Sequence, residues 1–179
     1  MAYDLNKLQE TYKNLANKER EKSLNGESSF FKIEEGSNVC RILPAKNDDL
    51  PFFAHTKIHT IHLNGGFKYI HCRKVHNEPC PLCDAYYEMW RLHKNGNTDI
   101  AENFGRGKTS IKPKDRYYMN AVNRKDDTVK VLSLPEKLFK TLMSYMVGDD
   151  TLGIDALGDV TKVDDGYDFN IIATRQDEF

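Results

Sequence analysis

No stretch of this 179-residue chain approaches the roughly 18 consecutive apolar residues that a membrane span requires. An apolar signal segment is also missing from the N-terminus, so the expected compartment is the cytosol. Cysteine is scarce, with four residues, which is not the pattern of a disulfide framework and fits a reducing compartment. There is no carboxylate pair, no H-E-x-x-H and no nucleophile triad, so a zinc hydrolase or nuclease lacks its machinery and no enzyme is expected. A βαβ pattern, which a thioredoxin-like reading of a C-x-x-C motif would need, is not visible either.

What the chain does have is concentrated between residues 59 and 83. Three cysteines (Cys72, Cys80, Cys83) and four of the six histidines (His59, His62, His71, His76) lie there. Cys80-Pro81-Leu82-Cys83 is a knuckle whose two thiolates can reach one metal ion, and zinc takes four tetrahedral sulfur or nitrogen ligands. Cys72 offers the third sulfur and a histidine the fourth donor. Residues 58–63 and 67–72 read as a hairpin around Asn64-Gly65-Gly66. If Gly65 and Gly66 form the loop, His59 faces Cys72 and His62 faces Tyr69; a loop at Asn64-Gly65 shifts the pairing. The order of candidates is His59, then His62, then His76. The bland alternative is two buried free thiols and a redox-active C-x-x-C.

The net charge of −1 conceals a segregation: residues 36–125 carry 15 basic and 8 acidic side chains, and residues 126–179 carry 5 and 12. A basic middle is the footprint of a polyanion binder, and the acidic last third is expected to sit away from the binding cleft. Within that middle, residues 105–125 hold Arg106, Lys108, Lys112, Lys114, Arg116, Arg124 and Lys125 around Tyr117 and Tyr118. Cations can track phosphates while aromatic faces stack on any base. Neighbouring Tyr117 and Tyr118 point to opposite sides of a strand, so at most one belongs to a core. Phe67, Tyr69 and Phe104 are further stacking candidates, although Phe67 and Tyr69 share a strand face that could pack on the zinc helix.

Along the rest of the chain, residues 4–24 read as one amphipathic helix on Leu5, Leu8, Tyr12 and Leu15, packed on the body or used for self-association. Short strands are expected at 30–33, 39–43 and from Phe52 into the hairpin, with a turn at 35–38. A helix follows Cys83 and stops at Asn95-Gly96, with His93 facing solvent. Strands follow at 117–119 and 128–132. Ser133-Leu134-Pro135-Glu136 reads as a capping box opening a helix. After an acidic, Gly-rich connection over 148–166, residues 167–174 form a last strand. The domain division is an N-terminal helix at 1–28 and a core at 29–179 with a metal-binding insert at about 59–104.

In this order the motifs resemble the zinc-containing single-stranded-DNA-binding (helix-destabilising) proteins of the T-even-like phages. The resemblance runs from about residue 36 through Ser37-Asn38-Val39-Cys40-Arg41-Ile42-Leu43-Pro44, the spacing from His59 to Cys72, the C-P-x-C knuckle, Arg116-Tyr117-Tyr118-Met119-Asn120 and Gly166-Tyr167-Asp168-Phe169. It implies a mainly β fold with added helices, an OB-type β-barrel with an inserted zinc subdomain. It also implies one structural Zn²⁺ on His59, Cys72, Cys80 and Cys83, and a protein that coats single-stranded DNA in phage replication, recombination and repair. Partners would be single-stranded DNA, further copies along it, and replication or recombination proteins. The alternative is a zinc-stabilised RNA-binding or regulatory module. Departures are the seven-residue gap between Cys72 and Cys80, a charged helix in place of the family's basic N-terminal arm, and no long acidic tail before Phe179.

Overall fold

The computed structural model describes residues 9–14, 17, 28–47, 49–63, 66–95 and 110–174. Residues 9–14 and 17 are helical, and the rest of the helix expected over 4–24 lies outside the described residues. Tyr12, expected on the packing stripe of that helix, is 73% exposed.

The strands are β1 (Gly36–Ile42), β2 (Phe53–Leu63), β3 (Gly66–His71), β4 (Lys114–Asn123), β5 (Thr128–Pro135) and β6 (Asp168–Ala173). Two helices join them, α1 (Pro81–Lys94) and α2 (Glu136–Val147), with a short 3-10 turn at Arg73–His76. All strand pairs are antiparallel, in the order β3-β2-β4-β1-β6 with β5 also on β4. β5 pairs with β4 from Arg116 to Asn123 and so occupies one edge. The other edge is shared end to end: Phe53–Ile58 of β2 lies against Lys114–Met119, and Cys40–Ile42 of β1 against Ala121–Asn123. A mainly β fold with added helices is therefore observed. The expected barrel is not closed: among the described residues β6 and β5 do not pair, and α2 packs beside the opening. An apolar cleft of about 180 Å³ remains there between Leu138 and Tyr145 of α2 and Phe169 and Ile171 of β6.

One face of the sheet builds the core from Cys40, Ile42, Met119, Ala121, Leu132 and Leu134, covered by Phe139 and Leu142 of α2. Tyr117 belongs to this face, its ring stacked 3.8 Å from Phe139 and edge-on to Phe53. Cys40 is buried here and burial, followed by the charge of Asp168, pushes its thiol up to about 11, so it is an inert core residue.

Five local expectations are corrected. β1 already begins at Gly36, because the buried Asn38 amide bonds the Glu34, Gly36 and Ile171 carbonyls and holds the entry that looked like a free turn. The segment at 30–33 makes a single parallel bridge from Phe30 to Val131 rather than a strand. Ser133 does not cap α2: it pairs with Tyr118 inside β5, and the helix starts after Pro135 without a side-chain cap. α1 begins at Pro81, inside the knuckle, and His93 packs its ring on Trp90 at 5.2 Å instead of facing solvent.

Phe139 is wedged between Tyr117 and Phe53, so truncation leaves a cavity its neighbours cannot fill. Phe139→Ala is expected to lower unfolding free energy by about 3–5 kcal/mol in a urea titration; a loss below about 1 kcal/mol would show that α2 is not part of the core.

Candidate metal centre and nucleic-acid interface

Three elements bring the four donors together. His59 lies on β2, Cys72 immediately after β3, and Cys80 and Cys83 at the N-cap and in the first turn of α1. Pro81 at the first helical position, where its missing N–H costs nothing, starts the helix between the two cysteines. Cys80 and Cys83, a knuckle at the helix start, turn their sulfurs the same way. The donor atoms of His59, Cys72, Cys80 and Cys83 all lie within 4.8 Å of one another and all four residues are buried. Cys72 Sγ is 3.4 Å from Cys83 Sγ, and His59 Nε2 is 3.4 Å from Cys80 Sγ and 3.6 Å from Cys83 Sγ. Zinc bonds of about 2.3 Å to sulfur and about 2.0 Å to nitrogen give tetrahedral edges of roughly 3.5–3.8 Å. The cluster thus has the donor chemistry and nearly the dimensions of a four-coordinate metal site.

The hairpin register differs from the one that favoured His59. Leu63 pairs with Gly66, so His59 lies opposite Ile70 and His62 opposite Phe67. His59 still reaches the cluster because Cys72 sits past the end of β3, where its N–H donates to the Lys57 carbonyl at 2.8 Å. His62 is turned to the other face, with its ring on Phe67 at 4.6 Å, and His76 is exposed in the 3-10 turn. The second ring nitrogen of His59, Nδ1, lies 2.7 Å from the Ile111 carbonyl. A carbonyl can only accept, so Nδ1 carries the proton and Nε2 offers its lone pair to the cluster.

Cys80 and Cys83 are shifted in opposite directions. Burial alone would raise Cys80, but hydrogen bonds from the Cys83 and Arg73 backbone and from the Cys72 and Cys83 thiols take it down to about 6. Cys83 is pushed up to about 12, first by burial and then by Cys72 and Cys80. A cation held among these sulfurs would favour their thiolate forms.

Antiparallel partners project to the same side of a sheet, which fixes a second face. Tyr69 is paired with Thr60, Phe67 with His62, Arg116 with Thr56 and Tyr118 with Ala54. Strand alternation then puts Phe67, Tyr69, His71, Lys114, Arg116 and Tyr118 on the side opposite His59, Tyr117 and the core. Thr56 Oγ1, 3.4 Å from His71 Nδ1, agrees. Phe67 and Tyr69 are 50% and 68% exposed, and do not pack on α1. Lys112 and Lys114 are exposed, Arg116 is half-buried, and none of the three has an acidic partner among the described residues. A depression of about 320 Å³ opens beside Tyr118, bordered by Lys46, Leu50, Ala54, Asn120 and Val131. Phe30 meets the Tyr118 ring edge-on at 6.2 Å, a neighbour that sequence alone did not single out.

Other candidates fall elsewhere. Phe104, Arg106 and Lys108 lie outside the described residues. Tyr117 is taken up by the core, with His55 stacked on its remaining side at 4.7 Å, so it is not a free stacking platform. Arg124 and Lys125 sit at the far end of β4 and are already paired, Arg124 with Asp168 at 3.0 Å and Lys125 with Glu34 at 2.9 Å. The hydrogen bond to Asp168 holds the Arg124 guanidinium above its ordinary range, and that to Glu34 does the same for Lys125. Asp168 also lies 3.9 Å from Arg41, so the acidic last third reaches the basic middle at this end. Asp115, the one acid in the basic strand, turns to the core side, where it meets His55 at 2.7 Å and Lys57 at 3.6 Å.

Cys80→Ser and Cys83→Ser are each expected to abolish stoichiometric metal in freshly purified protein, and His62→Ala to retain it, by elemental analysis. Full metal content in Cys80→Ser would disprove the cluster.

No curated protein is similar enough to be matched to the chain. Residues 34–179, which include the metal cluster and both faces of the sheet, match the family described as gp32 DNA binding protein like. With more than four-fifths of its length inside that match, the chain belongs to the gp32-like family of DNA-binding proteins.

Proposed function

We propose that the protein binds single-stranded DNA across the outer face of β4, β2 and β3. The observation that carries this reading is the strand register, which gathers exposed aromatics and unpaired cations on one side while the core takes the other. Bases stack on Tyr118, Tyr69 and Phe67, whose flat faces accept any base. Phosphates are met by Lys112, Lys114 and Arg116, and by Arg106 and Lys108 from the preceding stretch, with Phe104 as a further platform. Duplex DNA hides its base faces, so single strands are preferred.

The metal of this reading is zinc. Three thiolates and an imidazole in tetrahedral array suit it, and four protein donors leave no open position for a reactive water, so its role is structural. A binding protein rather than an enzyme follows from that closed shell. On this reading the open sheet is an OB-type fold whose barrel is left unclosed, carrying the zinc-binding insert at about 59–104 and preceded by the N-terminal helix at 1–28. Coating and protection of single strands in phage replication, recombination and repair, in the host cytoplasm, is the role this fits. Self-association along DNA and contacts with replication or recombination proteins would accompany it.

The test is a fluorescence titration of poly(dT) over a salt series, with duplex DNA and RNA as competitors. Tyr118→Ala is expected to lose about 1–3 kcal/mol of binding with the salt slope nearly unchanged. Arg116→Ala should flatten the slope by about 0.7. Arg124→Ala should change the slope less than Arg116→Ala, because Asp168 already neutralises it. Duplex DNA binding as tightly as poly(dT) would sink the reading, and RNA outcompeting poly(dT) would replace it with an RNA-binding module.

A further inference from the structure

The basic strand enters the sheet through a segment with few attachments of its own. Ladder pairing of β4 begins only at Lys114, opposite Ile58. Ahead of it, Pro113 has no N–H, and the Lys112 N–H is satisfied locally by Ser110 Oγ at 3.2 Å. Among the described residues, one hydrogen bond ties residues 111–113 to another element: the bond from His59 Nδ1 to the Ile111 carbonyl at 2.7 Å. The donor ring is fully buried and belongs to the metal cluster, so both of its nitrogens are committed, Nε2 to the thiol set and Nδ1 to this carbonyl.

We propose that His59 is a positioning residue for nucleic-acid binding: by holding the Ile111 carbonyl it fixes the backbone from which Lys112 and Lys114 project. The metal centre then does more than tie the hairpin to α1. A ring locked by metal at one nitrogen is a rigid donor at the other, and the segment it grips leads directly into the cationic strand. A cysteine in its place could complete a four-thiolate shell, but it has no second donor to offer Ile111. This inference rests on the single-strand reading above.

The experiment is His59→Cys in the full chain, loaded with zinc or with cobalt, whose absorption reports a tetrahedral four-thiolate set. The expected result is one metal per chain, poly(dT) affinity lower by about five- to tenfold, and a salt slope shallower by about 0.7 as one phosphate contact is lost. A role confined to the metal would leave the slope and affinity at wild-type values once the metal is bound, and that result overturns the proposal. Should the variant not hold metal, amide exchange on the wild-type protein decides. Chelation is expected to speed exchange at Lys112, whose N–H is bonded to Ser110 Oγ within the segment, by about tenfold or more while Cys40 and Phe169, paired across β1 and β6, keep their protection. Unchanged exchange at Lys112, or equal loosening at Cys40 and Phe169, overturns it. Wild-type protein that ignores poly(dT) would end the single-strand reading instead, and the exchange comparison would still test the tether.

Discussion

A strand has two edges and two faces, and β4 uses all four. One edge carries β5; the other carries β2 and then β1, so every part of the sheet is anchored directly or at one remove to residues 114–123. One face is spent on the core through Tyr117, Met119 and Ala121, and the other is left to Lys114, Arg116 and Tyr118. The period of two makes this division strict: moving the register by one residue would bury the cations and expose the core. The packing of Met119 and Ala121 therefore also fixes which side Lys114, Arg116 and Tyr118 occupy.

The lobe carrying the metal cluster is built on different physics. Of the fourteen residues of α1, only Cys83 is buried, and the second core cluster consists of Cys72, Cys80 and Cys83 with Val75 and Leu82 beside it. That is far too little apolar surface to fold a hairpin, a turn and a helix together. Metal–ligand bonds would supply what hydrophobic burial does not, as in other small metal-dependent modules. The surface ion pairs of this lobe, Arg73 with Glu78 and Lys74 with Asp84, are exposed and add little.

The three sulfur donors were legible in the sequence because the C-P-x-C knuckle is local and chemically restrictive, whereas the ranking of His59 ahead of His62 and His76 rests on a hairpin register that the structure corrects. That register was not legible, since adjacent Asn64, Gly65 and Gly66 all suit a tight turn and each choice slides the pairing by two. Alternation showed that Tyr117 and Tyr118 must part company, but only α2, placed by Phe139, determines which goes inside. Ser133 carries a sound capping signature, yet pairing with Tyr118 prevails over it. Segment charge counts could not reveal that Arg124 meets Asp168 across the sheet, because contact between distant segments is set by topology. The open side between β5 and β6 was likewise invisible in the strand pattern, which specifies elements and not whether the ends of a sheet meet.

The paired state of Arg124 and Lys125 has a kinetic side. With a net charge of −1 the molecule exerts almost no long-range pull as a whole. Among the described residues, however, Lys112, Lys114 and Arg116 have no acidic partner while Arg124 is paired, about 26 Å beyond Arg116 along the strand direction. This leaves a gradient of charge along β4. On the proposed single-strand reading, an approaching polyanion would be turned toward the Lys114 end before contact, and the encounter rate would fall with added salt even though the overall charge predicts almost no dependence.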